Sequence, residues 1–197
     1  MGSYYYLAAQ LPYLIYGQQV PMSSSAFKEL AKGAMDKAEG DVLDFCALGF
    51  PGHAENRQAA PEFVRNWLDW ERVLRLNLAR GRAQKLRRDG SDQRAAADAP
   101  EYPADAANAA KAALAQESPL EAEILLDKAR WAAIENLQGI DAFSETAMYA
   151  YLLKLLLMER RQAFKTEEGF SEYKTLYASI LENAEKSSDQ ISIGEPK

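Results

Sequence analysis

The side chains that most often carry out catalysis are scarce in this sequence. Histidine is the commonest general acid or base, and the chain has one, His53, in a glycine- and proline-rich stretch that predicts a surface loop. The single cysteine, Cys46, lies in an apolar stretch without a basic neighbour to lower its pKa, which favours a buried thiol over a nucleophile. No phosphate-binding glycine loop, zinc-protease motif or nucleophile-elbow motif occurs. We therefore expect no catalytic residue, no cofactor and no enzyme activity.

Carboxylates are the remaining candidates for chemistry. Glu121, Glu123 and Asp127 fall on one predicted helix, but clusters of this kind are usually solvated surfaces that pair with lysine or arginine one turn away. The sequence therefore predicts no metal site. An enzyme with an unfamiliar type of helical active site stays an alternative. It would need a pocket that gathers acidic residues such as Glu121 or Glu135 around a metal.

The charge is distributed unevenly along the chain. The net charge is −6, yet residues 72–88 hold seven basic and no acidic side chains, so the remainder carries −13. The seven basic side chains scatter around a helical wheel, and no aromatic residues alternate with them. The acidic remainder would also repel phosphates. We expect no nucleic-acid binding.

Several features indicate a cytoplasmic protein. One cysteine excludes an internal disulfide, and no basic start followed by a long apolar run marks a secretory signal. The longest nearly apolar stretch, Ala147–Met158, has 12 residues and contains Lys154. A membrane-spanning helix needs about 20 such residues, so we expect no span.

The spacing of apolar residues predicts an all-α protein, a multi-helix bundle with an N-terminal helical lobe over residues 1–88. Ser3–Leu14 fits a strand or a helix, and the helix is favoured. Three serines beginning at Ser23 provide capping chemistry for a second helix over Ala26–Lys37.

The third helix and the segment after it differ in composition. The helix, about Pro61–Arg88, has Trp67 and Trp70 on its apolar face, where core packing is favoured over ligand stacking. Residues 89–116 are rich in alanine, which favours helix but buries little surface. We expect an alanine-rich connector there, with a thin helix over Ala104–Gln116.

A C-terminal helical lobe is predicted over residues 117–185. Ser118 can cap a helix, Pro119 suits its first position, and Glu121 completes a capping box. This helix, running to about Leu137, is apolar on two sides. It therefore either lies between two other helices, which is favoured, or offers one apolar stripe to a partner.

The last part of the chain predicts the core and the end of the bundle. Ser144–Phe164 is apolar on nearly every side, as expected for a central helix. Phe170–Ala184 has one clean apolar face and predicts a final packing helix. Residues 186–197 are polar, and we expect a flexible tail.

The order of four stretches resembles a known family. They are Ser3-Tyr4-Tyr5-Tyr6-Leu7-Ala8-Ala9, Trp67-Leu68-Asp69-Trp70-Glu71-Arg72 to Ala79, Pro119-Leu120-Glu121-Ala122-Glu123 to Trp131, and Ala150-Tyr151-Leu152-Leu153-Lys154-Leu155. Together they look like a family of uncharacterised bacterial proteins encoded with V-type ATPase subunits. That family is distantly similar to the C subunit of V-type ATPases, whose eukaryotic counterpart is the d subunit. The similarity spans about residues 3–165 and rests on order and spacing.

The resemblance implies an all-helical, funnel-like protein that sits on the cytoplasmic side of the membrane rotor ring and seats the central shaft. Such a connector transmits torque and catalyses nothing. The V-type ATPase C subunit itself is longer and has three similar helical lobes. The chain therefore resembles a shortened form of the C/d subunit that lacks about one lobe.

The resemblance also implies where partners bind. Arg72, Arg75, Asn77, Arg130 and Arg160 are family-like positions that serve either as interface residues or as buried ion-pair residues. The full set of predicted partner-interface residues is Tyr4, Tyr5, Tyr6, Arg72, Arg75, Asn77, Arg80, Leu120, Ile124, Trp131 and Arg160.

These expectations combine into one functional hypothesis. The chain is expected to be a non-catalytic central-stalk connector of a bacterial V-type ATPase or ATP synthase, joining the rotor ring to the shaft during ion transport. It would lie at the inner face of the cell membrane and associate with the membrane only through the complex. The alternative is a free-standing helical regulatory or assembly factor for the same complex.

Overall fold

The computed structural model describes residues 4–48, 60–86, 102–163, 175–177 and 179. Across these ranges the regular secondary structure is α-helical, without a strand, and the helices pack on one another. The helices with defined bounds are α1 Tyr5–Gln10, α2 Ser24–Ala34, α3 Lys37–Val42, α4 Glu62–Leu86, α5 Ala104–Leu114, α6 Pro119–Gln138 and α7 Glu145–Ala163. The predicted all-α bundle is confirmed.

The chain divides into two compact units, residues 1–159 and residues 160–197. This division differs from the predicted lobes at 1–88 and 117–185 with a connector at 89–116. The reason is that α5, which comes from the alanine-rich segment, packs against both α4 and α6. Helices from both predicted lobes therefore belong to the first unit.

The second unit is described in part. Of the predicted last helix, about Phe170–Ala184, residues 175–177 and 179 are described, and they are helical and exposed. The predicted tail at 186–197 and the loop that holds His53 lie outside the described residues. None of the helices in the described ranges is both long and apolar enough to cross a lipid bilayer.

The first two predicted helices have different bounds in the structure. Helix α1 ends at Gln10, because Pro12 disfavours a helical conformation for Leu11, which is extended at ψ 131°. The predicted helix Ala26–Lys37 is observed as α2, Ser24–Ala34, because Met35 is also extended, at ψ 157°. Lys37 begins the separate helix α3. That break turns the Met35 side chain into the core.

Helix α6 begins as the capping signal predicts. The Ser118 side chain accepts a hydrogen bond from the Glu121 backbone N–H, and Pro119 is the first helical residue. The helix ends at Gly139, whose φ of 72° is a conformation that glycine adopts without steric cost. Both ends are therefore set by local chemistry.

Helix α7 is the core helix, as predicted for Ser144–Phe164. Nine of its residues are buried hydrophobic side chains, from Ala147 to Met158. Two of its tyrosine hydroxyls donate hydrogen bonds to backbone carbonyls of other segments. Tyr149 donates to the Glu39 carbonyl at 3.2 Å, and Tyr151 donates to the Pro12 carbonyl at 2.8 Å. Neighbouring elements are thus held to α7 by hydrogen bonds as well as by apolar packing.

The same helix also satisfies the start of α2. The Ser24 backbone N–H and hydroxyl donate to the two carboxylate oxygens of Glu159, at 2.6 and 2.7 Å. A carboxylate at a helix N-terminus satisfies unpaired amides and opposes the positive end of the helix dipole. Glu159 therefore fixes α2 against α7.

Helix α5 packs closely because its buried side chains are small. Ala106, Ala107, Ala110 and Ala113 lie against the neighbouring helices with little or no exposure. A methyl group built on Gly81 of α4 would overlap the Leu114 side chain. Small residues on both helices therefore allow the close approach, and α5, which lies within the alanine-rich segment, is part of the core.

A pair of glycine substitutions tests this close approach. Gly33→Ala, in α2, meets nothing within 4 Å, so better helix propensity should stabilise the fold by up to about 1 kcal/mol. Gly81→Ala gains the same propensity but must displace Leu114, so it should be less stable than Gly33→Ala by about 1 kcal/mol or more. Urea unfolding followed by circular dichroism gives both values. Equal stabilisation by the two variants would contradict close packing of α4 and α5.

Candidate functional site

A cluster of buried charges joins α4 to α6. The Glu71 carboxylate, which is 0% exposed, accepts hydrogen bonds from Arg130 Nε and Nη2, both at 3.1 Å. The Asp127 carboxylate accepts from Arg130 Nη1, also at 3.1 Å. Arg75 adds a 2.8 Å hydrogen bond from its Nε to Glu71. We call these four residues the buried charge cluster.

The buried charge cluster is electrically neutral, with two carboxylates and two guanidinium groups. Burial opposes the charge on Arg130, but the hydrogen bonds and negative charges of Glu71 and Asp127 outweigh it and raise the Arg130 pKa. Every charged group in the cluster has an oppositely charged partner. This arrangement is typical of a structural ion-pair network that fixes two helices.

The cluster assigns one of the two implied roles to Arg130 and leaves Arg75 exposed. Arg130 is a buried ion-pair residue. Arg75 pairs with Glu71 through its Nε, and its Nη2 donates a hydrogen bond to the Leu48 carbonyl at 2.9 Å. The prediction that Asp127 lies on a solvated surface is wrong, because Arg130 draws its carboxylate into the core.

Trp67 and Trp70 are core residues, as favoured by the sequence. Their rings stack at 5.7 Å between centroids, and both are buried. Trp67 donates its indole N–H to the Ala47 carbonyl at 3.0 Å, and Trp70 donates to the Asp105 carboxylate at 2.7 Å. Their polar atoms are thus used to hold neighbouring segments in place.

The carboxylates proposed for a metal site do not converge. Glu135 accepts a hydrogen bond from the Trp131 indole N–H at 2.9 Å and pairs with Lys154 at 3.4 Å. Glu121 is exposed in the first turn of α6. Over the described ranges, no three acidic, histidine or cysteine side chains are placed to hold one metal ion.

An apolar groove opens on the surface of the first unit, with a volume of about 300 Å³. Its walls include Leu11, Tyr13, Phe143, Met148 and Tyr151, and Glu135, Gln138 and Lys154 lie along it. We call it the aromatic groove.

Exposed aromatic rings lie at the edge of the aromatic groove. Tyr13 is 87% exposed, and Phe143 is also exposed. The Tyr5 ring lies 4.3 Å from the Phe143 ring, measured between centroids, which extends the aromatic surface to α1. The Tyr4 backbone N–H donates to the Phe143 carbonyl at 2.7 Å and ties the two segments together. Contiguous exposed aromatic surface of this kind is characteristic of interaction sites.

A cation lies between the groove and the core. Lys154 Nζ is 5.3 Å from the centre of the Trp131 ring, and it also contacts the Gln138 side-chain oxygen at 3.3 Å. The Tyr16 ring contacts the Trp131 ring edge-on, with 5.5 Å between the ring centroids. The cation–π contact and the Glu135 ion pair hold Lys154 in place.

The predicted interface residues fall into three groups. Five of them are exposed, namely Tyr5, Tyr6, Arg72, Arg75 and Leu120. Four are partly buried, namely Asn77, Arg80, Ile124 and Arg160. Two are buried, namely Tyr4, which is 8% exposed, and Trp131, which is 9% exposed. Tyr4 and Trp131 are packed inside the chain, so neither offers much surface to a partner.

Burial and a hydrogen bond to Glu39 raise the pKa of Tyr4 to about 12. Tyr5 adjoins the aromatic groove, whereas Asn77 and Arg80 line a separate cleft.

Tyr13 and Phe143 are absent from the interface residues that the sequence predicts. Tyr13 directly follows Pro12, and Phe143 lies in the short connection between α6 and α7. The cluster of tyrosines near the start of the chain was a visible signal. The position of Phe143 beside them was not, because the two segments are far apart in sequence.

No protein-family profile, curated protein or solved structure matches this chain.

The buried charge cluster can be tested by removing its central cation. Arg130→Met leaves Glu71 and Asp127 buried with less compensation, and we expect it to destabilise the fold by about 3–5 kcal/mol. The matched control is Arg72→Ala on α4, whose pair with Asp69 is exposed and 3.9 Å long and should contribute less than about 1 kcal/mol. Chemical denaturation measures both, and similar losses for the two variants would contradict the structural role of the cluster.

The Cys46 thiol provides a second test. It is buried, and burial raises its pKa to about 12. Because the thiolate is the reactive form, a disulfide reagent such as DTNB should not react with the native protein at pH 8. Denatured protein should release one equivalent of chromophore per chain. Rapid reaction in the native state would show that the Cys46 region is open.

Proposed function

We propose that this chain is a non-catalytic connector of a bacterial V-type ATPase, joining the membrane rotor ring to the central shaft. The observation that carries the proposal is the aromatic groove, with Tyr5, Tyr13 and Phe143 at its edge. Exposed aromatic side chains beside a shallow apolar groove provide large contact area at low entropic cost, which suits a protein partner. The identity of that partner rests on the resemblance of four ordered sequence stretches to the V-type ATPase-associated family.

The internal use of the ionisable groups supports a structural role. The carboxylates of Glu71 and Asp127 are neutralised by the guanidinium groups of Arg75 and Arg130 between α4 and α6. These groups therefore hold helices together. A rigid bundle of this kind is suited to transmitting force between two partners.

Replacing two exposed tyrosines at the groove by alanine tests the proposal. The double variant Tyr5→Ala/Tyr13→Ala removes two exposed rings and should leave the stability within about 0.5 kcal/mol per site. The matched control is Tyr102→Ala, because Tyr102 is also strongly exposed and does not line the groove. Tagged wild-type and control chains are expected to recover ring and shaft subunits in equal amounts from native membranes, and the double variant much less.

The composition of the recovered material separates the alternatives. Recovery of ring and shaft subunits in fixed ratio with the chain supports a permanent connector. Recovery below that ratio, with no chain in the mature complex, supports the free-standing regulatory or assembly factor. Recovery of neither ring nor shaft by the wild-type chain refutes both. Equal recovery by the double variant and the wild type would place the interface elsewhere.

A further inference from the structure

A second surface depression, of about 440 Å³, lies between the last part of α4 and α5. Its polar lining consists of Asn77, Arg80 and Gln84 from α4 and Asn108 and Lys111 from α5. Within the described part of the chain, no aspartate or glutamate lines it. We call it the basic cleft, and it is distinct from the aromatic groove.

The basic cleft holds two cations, Arg80 from α4 and Lys111 from α5. Arg72 pairs with Asp69, and Arg75 pairs with Glu71. Arg80 and Lys111, by contrast, form no ion pair with any residue in the described ranges. Two uncompensated cations in one depression raise the local positive potential and attract anions.

We propose that the basic cleft binds a small oxyanion ligand, one that carries a phosphate or a carboxylate group. Arginine offers a planar fork of N–H donors to such oxygens, and lysine offers a point charge. The side-chain amides of Gln84 and Asn108 add neutral donors and acceptors that suit the rest of a polar ligand, whereas Asn77 Nδ2 already donates to the Val73 carbonyl at 2.9 Å.

The size of the basic cleft matches this ligand class. Small-molecule sites usually have volumes of about 300–1,000 Å³, and the observed volume is at the lower end of that range. Gly81 and Leu114 contribute to the wall, where the Leu114 side chain packs directly against the Gly81 backbone. Oxyanion binding here is independent of the connector role, since it uses neither the aromatic groove nor a protein partner.

Calorimetric titration of the full chain at low ionic strength tests the proposal, with pyrophosphate and citrate as the two probes. Arg80→Ala and Lys111→Ala should each weaken binding on the order of tenfold or more, because each removes a charge-assisted hydrogen bond. The matched control is Arg82→Ala, which removes the same charge from an exposed position on α4 that does not line the cleft. Its affinity should stay within about twofold of the wild type. Circular dichroism confirms that each variant is folded.

The two probes distinguish the sources of the oxyanion. Saturable binding of pyrophosphate alone assigns a phosphate ligand, and binding of citrate alone assigns a carboxylate ligand. Binding of both supports a general oxyanion site. The proposal is overturned if neither probe binds saturably at millimolar concentration. It is also overturned if Arg82→Ala loses as much affinity as Arg80→Ala, because the attraction would then be a property of net charge.

Discussion

The fully buried carboxylate of Glu71 is the constraint on which the packing of the first unit depends. Removing such a charge from water costs several kcal/mol unless it is paired and hydrogen-bonded. Arg75 supplies one partner from the next turn of α4, and Arg130 supplies two hydrogen bonds from α6. Because Arg130 must lie opposite Glu71, this ion pair fixes the register of α6 against α4.

Helix α5 completes this arrangement because its buried residues are small. Four alanines face α4 and α6, and Gly81 of α4 lies where a larger residue would overlap Leu114. A helix with larger side chains would need more separation between its neighbours. Trp70 adds a directional contact, since its indole N–H donates to Asp105 at the start of α5. Apolar packing and one hydrogen bond thus place α5, whereas ion pairs place α6.

The packing leaves two chemically different surfaces. The aromatic groove forms where the chain before and after Pro12 meets the connection between α6 and α7, and its rings are apolar. The basic cleft forms between α4 and α5, and its cations Arg80 and Lys111 have no carboxylate partner in the described ranges. The charges of the buried charge cluster neutralise one another, whereas Arg80 and Lys111 lie at the surface. One surface suits a protein partner and the other suits a small anion.

The longer helices could be predicted from the amino-acid order, because helix formation depends on residues within about four positions of one another. The Ser118 cap, the start of α6 at Pro119 and the apolar core helix α7 all follow from such local patterns. The burial of Asp127 and the packing of α5 in the core emerge only when the helices are assembled. The hydrogen bonds of Glu71 with Arg130 join residues 59 positions apart. Local periodicity carries no information about which distant side chains meet, so only the folded chain could bring these groups together.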